Sequence, residues 1–332
     1  MNSLKRRTAL TALTACAMTV LGCGAAFAQT AAPGIWPTKA VRMWVPSPAG
    51  TAPDIVARVM GDKLSKLWGQ PVIVENRPGA GGMIGLGAIK SGTQDDHTFA
   101  FVPASVLSLS PTMFKSTTVD IVRDFVPVAL VAEGPMMMAV NASSPANTLA
   151  DVVAMAKKNP NGFVVTSPFI YSLPHLTGEV LGRAAGAPMR AVPYTNSGAA
   201  IAAVMNNDAQ LVIDGIPPID PMVKGGKLKA IAFFSDGRLP GRPQVPAVNE
   251  TYPGMVINGW FGIVAPKGTS DKAIERVNLD VAKVVREPEM TERFDSFGVF
   301  AKSMTPAQFG KYWNDDRTRW EKVLLDIGAK PQ

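Results

Sequence analysis

The chain has 332 residues, 47% hydrophobic and 18% charged, with a formal charge of +7. So apolar and weakly charged a composition excludes intrinsic disorder, because enough surface can be buried to drive folding. Beyond the N-terminus every apolar run is broken by charge, Pro or Gly well before the ~20 residues a spanning helix needs, which excludes a polytopic membrane protein. The 28 prolines and the lack of any repeat period exclude a coiled coil or fibrous array.

The chain opens with an export address. Lys5, Arg6 and Arg7 form a positive start, and Thr8 to Ala28 is uncharged and ends in Ala26-Phe27-Ala28. This layout predicts a secretory signal peptide over residues 1–28, cut before Gln29, and an exported mature protein. Arg6-Arg7 before Thr-Ala-Leu is a weak twin-arginine signal, and the segments ending at Cys16 and Cys23 weakly resemble lipoprotein boxes, so anchoring is the lesser expectation. Both cysteines lie in the leader, so the mature chain is expected to lack disulfides, thiol catalysis and cysteine metal sites. Removing the three leader cations takes the 33 basic residues to 30 against 26 acidic ones, a balance of +4. That modest excess favours small anionic ligands over nucleic acid.

The mature chain alternates short apolar strands with amphipathic helices, an α/β pattern. Strands are predicted at Val41–Val45, Pro71–Glu75 and Phe99–Val102, with a helix over Asp54–Trp68 carrying Ile55, Val59, Leu64 and Leu67 at helical spacing. Then come helix Leu149–Lys158, strand Phe163–Thr166, helix His175–Ala185, strand Arg190–Val192, helix Gly198–Met205, and strands Gln210–Ile213 and Lys229–Phe234. Helices Asp271–Arg286, Met290–Phe297 and Pro306–Ile327 end the chain. Two extended apolar stretches, Val126–Val140 and Met255–Pro266, suit crossovers between two lobes with a cleft between them. The expected division is 29–132 plus 257–332 for the first lobe and 133–256 for the second.

Catalytic chemistry finds little support. The chain has two histidines, His97 and His175, and no G-x-S-x-G elbow. His97 follows Asp95-Asp96 and reads as a solvated turn residue. Two distant histidines have no metal-site spacing. The glycine-rich run Pro78–Gly85 lacks both the Gly-Lys-Ser/Thr of a phosphate loop and the dinucleotide register. The helix starts are more informative. Thr51-Ala52-Pro53-Asp54 is close to a capping box, Ser172-Leu173-Pro174-His175 repeats its grammar, and Asn196 or Ser197 suits a third cap. Each follows a strand end, where loops of α/β sheets gather around the ligand crevice. Helix N-termini there present unpaired N–H groups to a carboxylate or other anion, although capping alone also accounts for these residues.

The same segments resemble the Bug-type solute-binding proteins of tripartite tricarboxylate transporters. Trp36-Pro37-Thr38-Lys39-Ala40-Val41-Arg42 is similar to the family's opening, and Gly69-Gln70-Pro71 through Asn76-Arg77-Pro78-Gly79-Ala80-Gly81-Gly82 to its most recognisable stretch. Asp124-Phe125-Val126-Pro127-Val128, Pro174-His175-Leu176, Val192-Pro193-Tyr194, Gly225-Gly226-Lys227-Leu228 and Gly259-Trp260-Phe261-Gly262 follow in the expected order. The resemblance implies a two-lobed, type II-like periplasmic binding protein fold with two crossovers. It also implies no catalysis, no cofactor and no metal, a small carboxylate ligand, a monomer, and delivery to large and small permease subunits. Carried over by position, the ligand-binding residues are Ser47, Ala49, Gly50, Thr51, Asp54 and Ser105 in the first lobe. In the second they are Ser167, Tyr171, Ser172, His175, Tyr194, Asn196, Ser197 and Asp214.

Three departures alter the expected cleft. The usual G-G-x-T-D becomes Gly50-Thr51-Ala52-Pro53-Asp54, the usual G-x-G-T-S-P-H becomes Phe169-Ile170-Tyr171-Ser172-Leu173-Pro174-His175, and Y-K-G-G-A-P becomes Tyr194-Thr195-Asn196-Ser197-Gly198-Ala199. Flexible glycines and a lysine give way to bulky or stiff groups, which favours a larger or aromatic carboxylate over the typical dicarboxylates. Two competing readings are a ligand-binding component of an extracytoplasmic sensing system and an exported hydrolase with an uncommon Ser or Asp site.

Overall fold

The computed structural model describes residues 36–92, 95–114 and 118–331. The expected signal peptide and its cut before Gln29 lie outside the described residues. From Trp36 onward the chain forms one compact unit.

Strand β1 (Val41–Val45) pairs in parallel with β2 (Val72–Asn76) and β3 (Thr98–Pro103). Helix α1 (Ala52–Trp68) connects the first two. It starts at Thr51 with proline in its first turn, and stops at Gly69, whose left-handed φ of 65° closes the helix. Its apolar stripe of Val56, Met60 and Leu64 is buried against the sheet. Helix α2 (Met83–Lys90) follows β2. Two short helices, α3 (Ala104–Ser108) and α4 (Ser110–Met113), follow β3, and α5 (Ile121–Asp124) leads into the long strand β4 (Phe125–Asn141).

Strand β4 joins the two lobes. Phe125 to Pro135 pair with β9 (Asn258–Pro266), which also pairs antiparallel with β3. Met136 to Asn141 pair with β7 (Leu211–Gly215) and β8 (Leu228–Phe233) instead. The second lobe is completed by α6 (Leu149–Lys158), β5 (Val164–Ser167), α7 (Leu173–Ala184), β6 (Arg190–Pro193), α8 (Ser197–Met205) and α9 (Ile216–Lys224). Here β5 pairs in parallel with both β6 and β7. The path across the strands is β2-β1-β3-β9-β4-β7-β5-β6. Parallel strands covered on both faces are apolar almost throughout, which is why they appear in the sequence as short unbroken apolar runs.

Helices α10 (Asp271–Val284) and α11 (Pro288–Phe297) return to the first lobe. The short strand β10 (Phe300–Ala301) pairs antiparallel with Ala132 and Glu133 in the middle of β4. The last helix, α12 (Pro306–Asp326), spans both lobes. Phe309 and Trp313 join the first-lobe core beside β3 and β9, whereas Trp320 and Leu324 pack with Leu176 and Leu181 of α7.

Two sequence expectations are corrected. His97 is buried, not solvated. Its Nε2 accepts the Thr38 N–H at 3.1 Å, its Nδ1 lies 2.6 Å from the Asp95 carbonyl, and Trp36 packs beside its ring. The N-terminal segment folds over this turn, a long-range contact that turn chemistry does not encode. Nor does Thr51 form a capping box. Its hydroxyl donates to the Pro48 carbonyl at 2.7 Å, while Asp54 accepts the N–H of Gly50.

Candidate functional site

The ends of β1 and β5 carry the same design, one in each lobe. At or just past each strand end stands Ser-Pro, then a short loop, then Thr-x-Pro or Ser-x-Pro opening a helix, namely Ser47-Pro48 before Thr51-Ala52-Pro53 and Ser167-Pro168 before Ser172-Leu173-Pro174. In both loops the residue before the cap is left-handed, Gly50 at φ 76° and Tyr171 at φ 55°. In both, a side chain from the third helical position accepts that residue's N–H. Asp54 Oδ2 takes Gly50 N–H at 2.9 Å, and His175 Nδ1 takes Tyr171 N–H at 3.2 Å. Left-handed backbone costs a non-glycine residue ~1–2 kcal/mol. Tyr171 is held there by an edge contact with Phe114, 5.5 Å between ring centres, and by its hydroxyl donating to the Lys330 carbonyl.

Ser47 and Ser167 are buried, and their hydroxyls have no hydrogen-bond partner among the described residues. A buried hydroxyl without a partner costs ~1–3 kcal/mol. Two such groups at matching strand ends, beside the N-termini of α1 and α7, mark a place where a polar guest would be stabilised.

The second-lobe caps fold as the sequence indicates. Ser172 Oγ accepts the His175 N–H at 3.2 Å, and Asn196 Oδ1 accepts Ala199 N–H at 2.9 Å. With Asn196 serving as cap, the Ser197 hydroxyl is free to donate to Asp214 Oδ2 at 2.5 Å, and Gly215 N–H donates to Oδ1 at 2.7 Å. Burial pushes the Asp214 carboxyl up to about 7, against the opposing pull of these two donors. Burial drives His175 the other way, down to about 4, so its ring is neutral near pH 7. As Nδ1 accepts from Tyr171, the ring proton sits on Nε2.

Thr51, Ser105, Ser172 and Asp214 line one cavity between the lobes, together with Met136, Phe169, Leu173, Trp260 and Phe261. It is narrow, about 50 Å3, and residues of both lobes meet around it. Trp260 is fixed from behind, its indole N–H donating to Asp316 of α12 at 2.9 Å, where the Ser108 hydroxyl also donates. Tyr194 lines a second, roomier cavity of about 530 Å3, walled by Pro46, Pro48, Gly79–Gly82 and Ile170. Phe169 borders both. Among the described residues, no Lys, Arg or His lines either cavity, and Asp214 is their sole acid.

The other sequence-derived candidates stand behind these walls or at the loop tips. Ala49 and Gly50 are exposed, and Ser47 and Ser167 adjoin the lining prolines. Asp54 is buried in a network with Arg58 at 2.9 Å and Asn76 at 2.9 Å. His175 and Tyr171 support each other's loop, Asn196 caps α8, and Ser197 holds Asp214. Sequence reasoning placed Phe169 in a loop that alters the cleft but missed Trp260, Phe261 and Met136 as cavity residues. These three stand in segments already singled out, but nothing in their local pattern separates a lining residue from a core one.

A two-lobed α/β chain, closed over a cavity at the strand ends of both lobes, belongs to the solute-binding proteins. The family described as TctC, the tripartite tricarboxylate transporter family receptor, matches residues 56–329, and the chain belongs to that family. It is therefore a periplasmic solute-binding receptor of a tripartite tricarboxylate transporter, not an enzyme. Protein BugT of Bordetella pertussis is 30% identical over 94% of this chain and 98% of its own length. Among solved structures, an R. palustris protein with adipate superposes with a TM-score of 0.87 at 26% identity, covering 90% of this chain and 100% of that one. The periplasmic binding protein BugD does so at 0.84 and 26%, with the same coverage. No helix among the described residues is long and apolar enough to cross a membrane.

Proposed function

We propose that this receptor captures a small organic carboxylate, with an aromatic one favoured, between its lobes and hands it to the large and small permease subunits of its transporter. The observation that carries this reading is the cavity at which Thr51 and Ser172, the caps of α1 and α7 from opposite lobes, meet Ser105 and Asp214. Unpaired helix N–H groups and positive helix ends suit a carboxylate without any cationic side chain. The adipate held by the R. palustris relative is consistent with that chemistry. Thr51, Ser105, Ser172 and Asp214 are assigned direct contact, and Asp54, Tyr171, His175, Asn196 and Ser197 hold the loops that carry them.

In this reading the mature protein is a monomer that begins at Gln29. Its lobes comprise residues 29–132 with 257–332, and residues 133–256. The change of partners along β4 at Met136 supports that division, as does the Ile257 N–H, which bonds the Phe234 carbonyl where the chain returns. Crossovers of this kind serve as hinges in ligand-closing proteins.

A thermal-shift screen against a broad carboxylate panel tests the proposal. A bound solute at ~100 times its dissociation constant stabilises by ~2.7 kcal/mol. The same screen on Gly215→Leu, whose side chain would wedge against Ala52 between the lobes, must lose the effect. Stabilisation that survives in the wedged variant would place the solute elsewhere.

A further inference from the structure

We propose that the larger cavity is a subsite for the apolar body of the solute, so that this receptor takes an aryl- or alkyl-monocarboxylate with its head in the narrow cavity. The inference rests on the reading of the cleft as the solute site. The two cavities are neighbours, both bordered by Phe169, and they differ about tenfold in room, 50 against 530 Å3. The narrow one admits a group the size of a carboxylate and little more. The larger one falls within the ~300–1,000 Å3 of ordinary small-molecule pockets.

The walls of the larger cavity are mostly hydrocarbon, with Tyr194 and Thr195 as their polar side chains. Four prolines line it, Pro46, Pro48, Pro78 and Pro193, along with half-buried Phe169 and Ile170. With no cation lining either cavity, a second carboxylate carried inward would shed water and gain no partner charge.

These walls are also built to stay open. Proline fixes its own backbone angle. The glycine loop is clamped from behind, since a Cβ on Gly81 would lie 2.4 Å from the Phe114 ring and one on Gly82 would lie 2.8 Å from the Val106 side chain. On the opposite side, Phe169 and Ile170 belong to the loop pinned through Tyr171 to Phe114 and Lys330. A cavity held from both lobes needs little reordering to receive a rigid body, and that lowers the cost of binding.

Calorimetric titration with hexanoate, 3-phenylpropionate and adipate tests the subsite, hexanoate and adipate forming a pair matched in chain length. The two monocarboxylates are expected to bind wild type at least about tenfold more tightly than adipate. Ile170→Lys adds a cation to the larger cavity and is expected to reverse that order, with adipate gaining and 3-phenylpropionate losing affinity. Equal or tighter adipate binding by wild type, an unchanged order in a folded Ile170→Lys, or no binding of any probe would each overturn the subsite. The cleft reading fails separately, if Gly215→Leu binds these probes as wild type does.

Discussion

Replacing Gly215 with alanine places one methyl group between the closed lobes. Its Cβ would lie 2.8 Å from the Cβ of Ala52, the first residue of α1, and both residues line the narrow cavity. Comfortable carbon contacts are ~3.5–4.0 Å, so the lobes must part by about 1 Å at this point. The backbone of Gly215, at φ −58° and ψ 155°, suits alanine without strain. The cost therefore falls on closure alone, at the ~1–3 kcal/mol typical of overpacking. Affinity for whichever carboxylate the thermal-shift screen selects should drop about 5- to 150-fold. The free protein relieves the clash by opening, so its unfolding midpoint should move little while small-angle scattering reports a larger radius of gyration. Adding Ala52→Gly removes the opposing methyl and should recover most of the loss. Wild-type affinity and scattering in Gly215→Ala, or a double variant no better than the single one, would refute the closure contact.

Three further outcomes follow from the site. Asp54→Ala should lower the stability of the free protein by ~1.5–3 kcal/mol in urea denaturation, the scale of hydrogen bonds to a charged group, because it removes the buried carboxylate that accepts from the Gly50 N–H and the Asn76 amide. Asp214→Ala should weaken solute binding by ~1–3 kcal/mol in calorimetry. Early melting with normal binding would make Asp214 structural. Ser47→Ala and Ser167→Ala should each raise the stability of the free protein in urea denaturation, by up to ~1–3 kcal/mol, since each removes a buried hydroxyl that lacks a partner.

The fourth outcome concerns pH. Asp214 is raised from 3.8 to about 7 on folding, so the folded state binds the extra proton and stability falls as pH rises between those values. His175 is lowered from 6.5 to about 4, so the unfolded state binds the extra proton and stability rises over that window. The two trends oppose each other. Denaturation of Asp214→Asn between pH 4 and 7 should expose a steeper rise than wild type, and His175→Gln a steeper fall. Parallel profiles for wild type and both variants would remove these two groups from the account.

Much of the local structure was legible from residue pattern. The helix over Leu149–Lys158 and the strand at Val41–Val45 stand where the periodicity puts them, and the Ser172 and Asn196 caps close as their side-chain chemistry requires. Helix α9 was not legible, because Pro217, Pro218 and Pro221 read as breakers. Two of them occupy its first turn, where a missing N–H costs nothing. Helix α2 was hidden by Gly85 and Gly87, which count against a helix by propensity. Yet a Cβ at Gly85 would lie 2.4 Å from the Arg77 carbonyl, so close packing and not flexibility explains that glycine.

The site divides along the same line. The sequence by itself placed hydroxyls, prolines and acids at strand ends and helix starts, because capping and turn chemistry act within a few residues. Only the tertiary structure decided which hydroxyls stay unpartnered, as Ser47 and Ser167 do, and which are spent within a loop, as that of Thr51 is. It also decided that Trp260 and Phe261, from a strand far along the chain, meet Thr51 and Asp214 around one cavity. Those contacts arise when β4 and the returning β9 bring the strand ends of the two lobes together, and long-range packing of that kind leaves no periodic mark on the residues it brings together.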